Sequence, residues 1–330
     1  MFIRNRTSFD ARLTRARLGE PGGMAAVVVR AAYRIAEGAL QISEEPPPLP
    51  SDPPDLSHHA LWAGTSVTVA GDVFGPRSAP FQRLVSLVVG DVTTRLWTFG
   101  DRCWSRGISG GLRSSMPVPF ERLTLSFARA FGGSFDVPAG LYPGTDLPFP
   151  GGCFAYALNE GGVGFYPDAV SAAERPLPNF ELADRLVQQW SDRPTPGCFA
   201  PCPELAALRL LSPDAEEPMQ APRESEVVTR DGMLSRLLRT LHPAPGYLIF
   251  DNLAPGTPIH LDGVGRRAVS FRAPAPPARV RLRRGKSTDD VHSELRSIHI
   301  NADDSVVRCV FGYFFTYRDG SEPSWILVEA

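Results

Sequence analysis

Val85-Ser86-Leu87-Val88-Val89-Gly90-Asp91-Val92-Thr93-Thr94-Arg95-Leu96-Trp97-Thr98-Phe99 predicts two β-strands joined by a two-residue link. Val85, Leu87 and Val89 recur at every second position, the period of a strand with one buried face. Gly90-Asp91 between two β-rich runs is a tight-turn signal. The outgoing strand ends at Gly100, which delivers Asp101, Arg102 and Trp104 at its tip. The same alternation recurs upstream. Val27, Val29, Ala31, Tyr33 and Ile35 oppose Arg30 and Arg34, Glu37-Gly38 turns the chain, and Leu40 and Ile42 return along it. Val67, Val69, Gly71 and Val73 alternate again, as do Leu123, Leu125 and Phe127 before Gly132-Gly133. Downstream, strands are expected over residues 247–250, 258–261, 269–271, 279–283 and 325–328. Residues 305–317 are apolar on both faces, as a central strand is.

Helical spacing is confined to two places. Leu182, Leu186 and Trp190 fall at i, i+4 and i+8. Met233, Leu234, Leu237, Leu238 and Leu241 share one helix face, with Thr229 or Asp231 as cap and Pro243 beyond the end. Residues 134–164 are rich in glycine, proline and aromatics; Phe135, Leu141, Tyr142, Phe149, Phe154 and Tyr156 require burial, so this stretch is read as ordered loops. The fold class expected is mainly β, with antiparallel sandwich- or barrel-like sheets and a few short helices.

The 330 residues suffice for one large domain or two ordinary ones. Residues 1–211 form a β-rich part. Residues 212–245 hold an exposed acidic, proline-containing segment and the short amphipathic helix. Residues 246–330 form a second β-rich part packed on the first. With 33 prolines and 30 glycines the chain favours turns and long loops over a helical bundle. A net charge of −2 gives no global argument for nucleic acid or a membrane surface. The longest apolar runs, 24–29 and 309–315, are too short to span a bilayer. The opening residues lack the apolar core of a secretory signal. Five irregularly spaced cysteines in such a chain are expected as reduced thiols in a cytoplasm. Lys286 is the only lysine, so almost every basic contact is a planar guanidinium.

No common catalytic motif is present: no Gly-x-Ser-x-Gly elbow, no His-Glu-x-x-His, no Walker sequence. Gly161-Gly162-Val163-Gly164 lacks the strand before and helix after that a dinucleotide loop needs. Cys198 and Cys202 have no second close pair, and His58-His59 beside Asp52 and Asp55 is read as a polar loop, so no metal and no cofactor is expected. Asp101, Arg102, Glu121, Arg122, Arg129 and Glu181 form either a charged functional cluster or ion pairs that lock loop ends onto the sheet, the reading we favour. Trp104 and Phe131 beside glycines suit packing at the core edge as well as a binding face. In residues 279–283, Arg279, Arg281 and Arg283 share one strand face and Val280 and Leu282 the other. That stripe serves either an acidic partner or phosphate, or it protects an edge strand from aggregation. The helix with Met233, Leu237 and Leu241 docks either in a partner groove or on its own sheet.

Several words of the sequence together resemble one family. Asn5-Arg6-Thr7-Ser8-Phe9 is similar to its opening Asn-x-Thr-Pro-Phe, and Val27 through Tyr33 with Gly38-Ala39-Leu40 to its first hairpin, where lysine is usual at the Arg30 position. Residues 67–76 resemble its Gly-x-Ala-x-Ala-Pro strand and turn. Gly100-Asp101-Arg102-x-Trp104 and Ala130-Phe131-Gly132-Gly133 are its most specific words. Leu177-Pro178-Asn179-Phe180-Glu181 is similar to Leu-Pro-Asn-x-Glu, and Pro196-Gly197-Cys198-Phe199-Ala200-Pro201 to Pro-Ala-Gly-Phe-Gly-Pro. The likeness covers roughly the first 200 residues, and residues 247–261 loosely through Asn252-Leu253-x-Pro255-Gly256. Residues 203–228 do not show the Arg- and Trp-containing segment that family members often carry.

The family so resembled is the uncharacterised domain family encoded beside VgrG-type spike and PAAR-like proteins of bacterial type VI secretion systems. The resemblance implies a cytoplasmic adaptor or chaperone rather than an enzyme. It implies as partner an effector protein or its PAAR-like domain, and loading onto the VgrG-type spike. Arg102, Trp104, Arg129, Phe131, Met233, Leu237, Leu241, Arg279, Arg281 and Arg283 are the candidate partner-binding residues. Two alternatives stay open: a glycan- or peptidoglycan-acting hydrolase, with Asp101 and Glu121 as first suspects, and a structural component of the spike.

Overall fold

The computed structural model describes residues 2–16, 23–43, 64–76, 82–107, 110–137, 139–141, 146–202, 243–251, 253–318 and 320–330. The fold is mainly β, and three sheets carry it. A seven-stranded sheet runs in the order Ile249–Phe250, Thr65–Ala70, Ser293–Asn301, Val306–Tyr317, Gly23–Ala36, Asp10–Ala16, with Ala39–Ile42 also paired to Gly23–Ala36. A five-stranded antiparallel sheet runs Phe180–Leu182, Val92–Phe99, Gln82–Val89, Pro258–Asp262, Val269–Arg272. A four-stranded sheet runs Phe2–Asn5, Trp325–Glu329, Arg279–Arg284, Ser287–Val291. Pairing within the three sheets is antiparallel except at Phe2–Asn5 with Trp325–Glu329 and at Thr65–Ala70 with Ser293–Asn301.

One core joins all three sheets. Val27, Val29, Ile298 and Phe311 come from the first, Leu87, Leu96, Leu261 and Phe271 from the second, Val280, Leu282, Ile326 and Val328 from the third. The period-two positions supply this core, because alternate side chains of a strand point to one face. The central hairpin forms as expected: Val89 opposes Val92, and Gly90 takes φ +58° in the two-residue link. Glu37 and Gly38, at φ 50° and 80°, turn the chain between Gly23–Ala36 and Ala39–Ile42. Val306–Tyr317 is the central strand, paired along its whole length with Gly23–Ala36 and from Val306 to Tyr313 with Ser293–Asn301.

The two β-rich parts expected at 1–211 and 246–330 contribute strands to the same seven-stranded sheet. Ser293–Asn301 and Val306–Tyr317 lie between Thr65–Ala70 and Gly23–Ala36, so the parts are interleaved strand by strand. Residues 203–242 lie outside the described residues; with them go the acidic segment and the helix of Met233, Leu237 and Leu241.

The helix expected from the spacing of Leu182, Leu186 and Trp190 does not form. Phe180–Leu182 is a strand paired with Val92–Phe99, and turns follow it. Leu182 enters the main core and Trp190 packs against a second cluster, so their spacing serves two cores rather than one helix face. The Val187 amide donates to Glu181 Oε2 at 2.8 Å, and those of Gln188 and Gln189 to Asp192, which removes the donors a helix would use. Among the described residues the α-helical segment is the four-residue turn Ala169–Ala172, capped by Asp168. Among the described residues of 134–164, Ser134–Val137 pairs with Gly152–Ala155 and Gly140–Leu141 with Pro148–Phe149 as short ribbons.

Candidate functional site

The motif words fold onto one another at the end of the five-stranded sheet. Arg102, just past Val92–Phe99, has a side chain only 7 % exposed and forms an ion pair with Glu181, whose side chain is 2 % exposed. The same Nη2 donates to the Pro178 carbonyl at 2.8 Å, and the guanidinium lies over the Phe99 ring at 3.6 Å. Glu181 gives its other oxygen to the Val187 amide. Burial pushes the Glu181 carboxyl up, and Arg102 and that amide oppose the push.

Asn179 links the remaining words. Its Nδ2 donates to the Phe99 carbonyl at 3.1 Å and to Asp101 Oδ1 at 3.0 Å, and its Oδ1 accepts from Arg129 Nη1 at 3.2 Å. Arg129 is otherwise exposed. Gly100 is required by close approach: a Cβ there would stand 1.7 Å from the Val118 carbonyl oxygen. Trp104 and Phe131 are fully buried with Tyr166, Ala172, Leu177 and Val187 in the second cluster. Arg102, Trp104 and Phe131 are thus interior groups.

On this platform lies an open cleft of about 530 Å³, walled by Gly132, Gly133, Gly161, Gly162 and Gly164 and rimmed by Asp136, Glu160 and Arg175. Val163–Gly164 pairs in parallel with Phe131–Gly132, which is what the glycine run does here. Gly132 sits at φ 154°, and a Cβ on it would stand 2.0 Å from the Asn159 carbonyl oxygen. Asn159 holds the turn by donating to the carbonyls of Phe127 and Phe131.

Asp101 is tied to Asn179, and Glu121 is exposed, its carbonyl accepting from the Gly75 amide. Neither lines the cleft. Among the described residues no three His, Cys, Asp or Glu side chains gather as metal ligands. All five cysteines are free; Cys198, Cys202 and Cys309 are buried, and burial pushes the Cys198 thiol up to about 12. No described helix is long and apolar enough to cross a membrane.

Arg279, Arg281 and Arg283 lie elsewhere, on the outward face of the four-stranded sheet. Arg281 pairs with Glu329, and Arg283 lies over the Trp325 ring at 5.6 Å. The stripe's neighbours Arg4, Trp325 and Glu329 belong to the first and last strands, and Arg6 follows the first directly; the stripe alone does not reveal them. The signal that would have found them is the alternation Arg4-x-Arg6 at one end and Trp325-x-Leu327-x-Glu329 at the other.

Residues 21–311 match the family model described as "Uncharacterized protein conserved in bacteria (DUF2169)". No curated protein and no solved structure matches the chain.

Proposed function

The chain belongs to the DUF2169 family of bacterial proteins, and from that premise we propose that it is a binding protein rather than an enzyme: a cytoplasmic adaptor or chaperone that holds a type VI secretion effector, or its PAAR-like domain, and aids its loading onto the VgrG-type spike. The observation that carries the reading is how the motif charges are used. Arg102 and Glu181 are buried against each other, and Asn179 takes Asp101 and Arg129. These residues hold loops in place, and neither Asp101 nor Glu121, the carboxylates a hydrolase would be expected to use, lines the cleft. The link to secretion comes from the resemblance of the motif words. Binding would stabilise the client by mass action, without a cofactor.

The test is an affinity pull-down of the tagged full chain from its native host while the secretion genes are expressed, with partners identified by mass spectrometry. Recovery of a PAAR-like or toxin protein at near-equal amount is expected. Recovery of the protein alone would sink the reading and move weight to glycan hydrolysis. Finding the chain itself exported together with the effector would favour a component of the spike.

A further inference from the structure

Alternation divides the four-stranded sheet into two unlike faces. Val280, Leu282, Ile326 and Val328 point into the core, with Ile3 packed against them. The residues between them point outward, and the register sets them in rows across the strands. Phe2, Trp325 and Arg283 make one row, Arg4, Leu327 and Arg281 the next, and Glu329 with Arg279 a third, which Arg6 extends. Five arginines therefore share this face with two carboxylates, Glu329 and the Asp290 that opposes Arg281, in a chain of net charge −2. Phe2 is 79 % exposed at the end of its row.

We propose that this face docks an extended acidic segment of a protein partner, with alternate carboxylates over the arginine rows and an apolar residue against Phe2 and Trp325. The face already shows which anion it holds: the Glu329 carboxylate accepts from Arg6 at 3.3 Å and from Arg281 as well. Guanidinium groups present a planar fork that matches a carboxylate. Side chains on one face of a strand repeat about every 6.6 Å, and an extended acidic segment repeats its carboxylates at the same spacing, so successive pairs stay in register. The sheet face is built of paired strands with Phe2 and Trp325 side by side in one row, and the rest of the chain is net negative, which disfavours nucleic acid. The inference rests on the binding reading only for the claim that the partner is the client protein.

The test uses the full-length chain and a fluorescein-labelled twelve-residue peptide of alternating Glu and Thr, followed by fluorescence anisotropy. The unaltered protein is expected to bind it, more weakly at 300 mM than at 50 mM salt. The variant Arg4→Glu/Arg279→Glu/Arg283→Glu should lose at least tenfold in affinity with its melting temperature kept. If that variant unfolds, Arg279→Glu alone should lose at least threefold. No binding by the unaltered protein, equal binding by folded variants, or tighter binding of a twelve-nucleotide single-stranded DNA would overturn the proposal. A host pull-down separates the two readings. A client recovered equally by protein and variant rejects this face and leaves the adaptor standing. Peptide bound at this face with no client recovered rejects the adaptor and leaves the face.

Discussion

Arginine does two different jobs in two regions of this molecule. Arg102 is buried, paired with Glu181, and stacked on Phe99. Arg281 also pairs with a glutamate, yet it is 40 % exposed and stands among four other arginines on an open sheet face. The first pair exists because two charges were taken out of water together, and removing either strands the other. The second costs little to form and contributes little to stability, because water screens it. An ion pair found by distance alone therefore does not reveal its role; the solvent around it does.

The contrast can be broken most directly at its buried end. Arg102→Met leaves the Glu181 carboxylate in an apolar pocket and should destabilise by about 3–5 kcal/mol in urea denaturation at pH 7. That loss should shrink as pH falls, since a protonated Glu181 brings no charge inside. Arg102→Met/Glu181→Leu should recover most of the stability; no recovery would mean the lock is not electrostatic. A second buried group sharpens the point. Burial, aided by Arg308, pulls the His299 imidazole down from 6.5 to about 4. The folded state therefore holds His299 neutral, and its contribution is complete above pH 6.5 and lost as pH falls toward 4. The loss amounts to about 3 kcal/mol. His299→Gln should flatten the stability profile across that window, and an unchanged profile would refute the assignment.

Gly100→Ala drives a methyl into the Val118 carbonyl and should cost about 1–3 kcal/mol, read as a fall in melting temperature. Least affected should be Arg281→Ala, at about 0–1 kcal/mol. A loss as large as that of Arg102→Met would erase the distinction between the two regions.

The strands were legible because alternation is local: the hairpin at Gly90-Asp91 and the long strand ending at Tyr317 can be read from a few neighbours. The stretch after Glu181 misled because Leu182, Leu186 and Trp190 mimic a helix while two cores claim Leu182 and Trp190. The interleaving of the two β-rich parts was not legible, since pairing across about 270–295 residues leaves no local trace. Of the site, the ion-pair lock could be anticipated from Arg102 and Glu181 as residue types, but Asn179 as its hub could not. The arginine face was half visible, in Arg279, Arg281 and Arg283; its other half comes from the opposite end of the chain.

That long-range pairing has a consequence for how the protein is made. Gly23–Ala36 finds its central partner in Val306–Tyr317, and Phe2–Asn5 finds its own in Trp325–Glu329. Synthesis proceeds at roughly 5–20 residues per second, so the long apolar strand emerges on the order of 15–55 s before the strand that covers it. Folding must wait on non-local closure, which is intrinsically slow. A protein proposed to shelter another polypeptide is itself born with a vulnerable interval, during which its own first strands are candidates for a cellular chaperone.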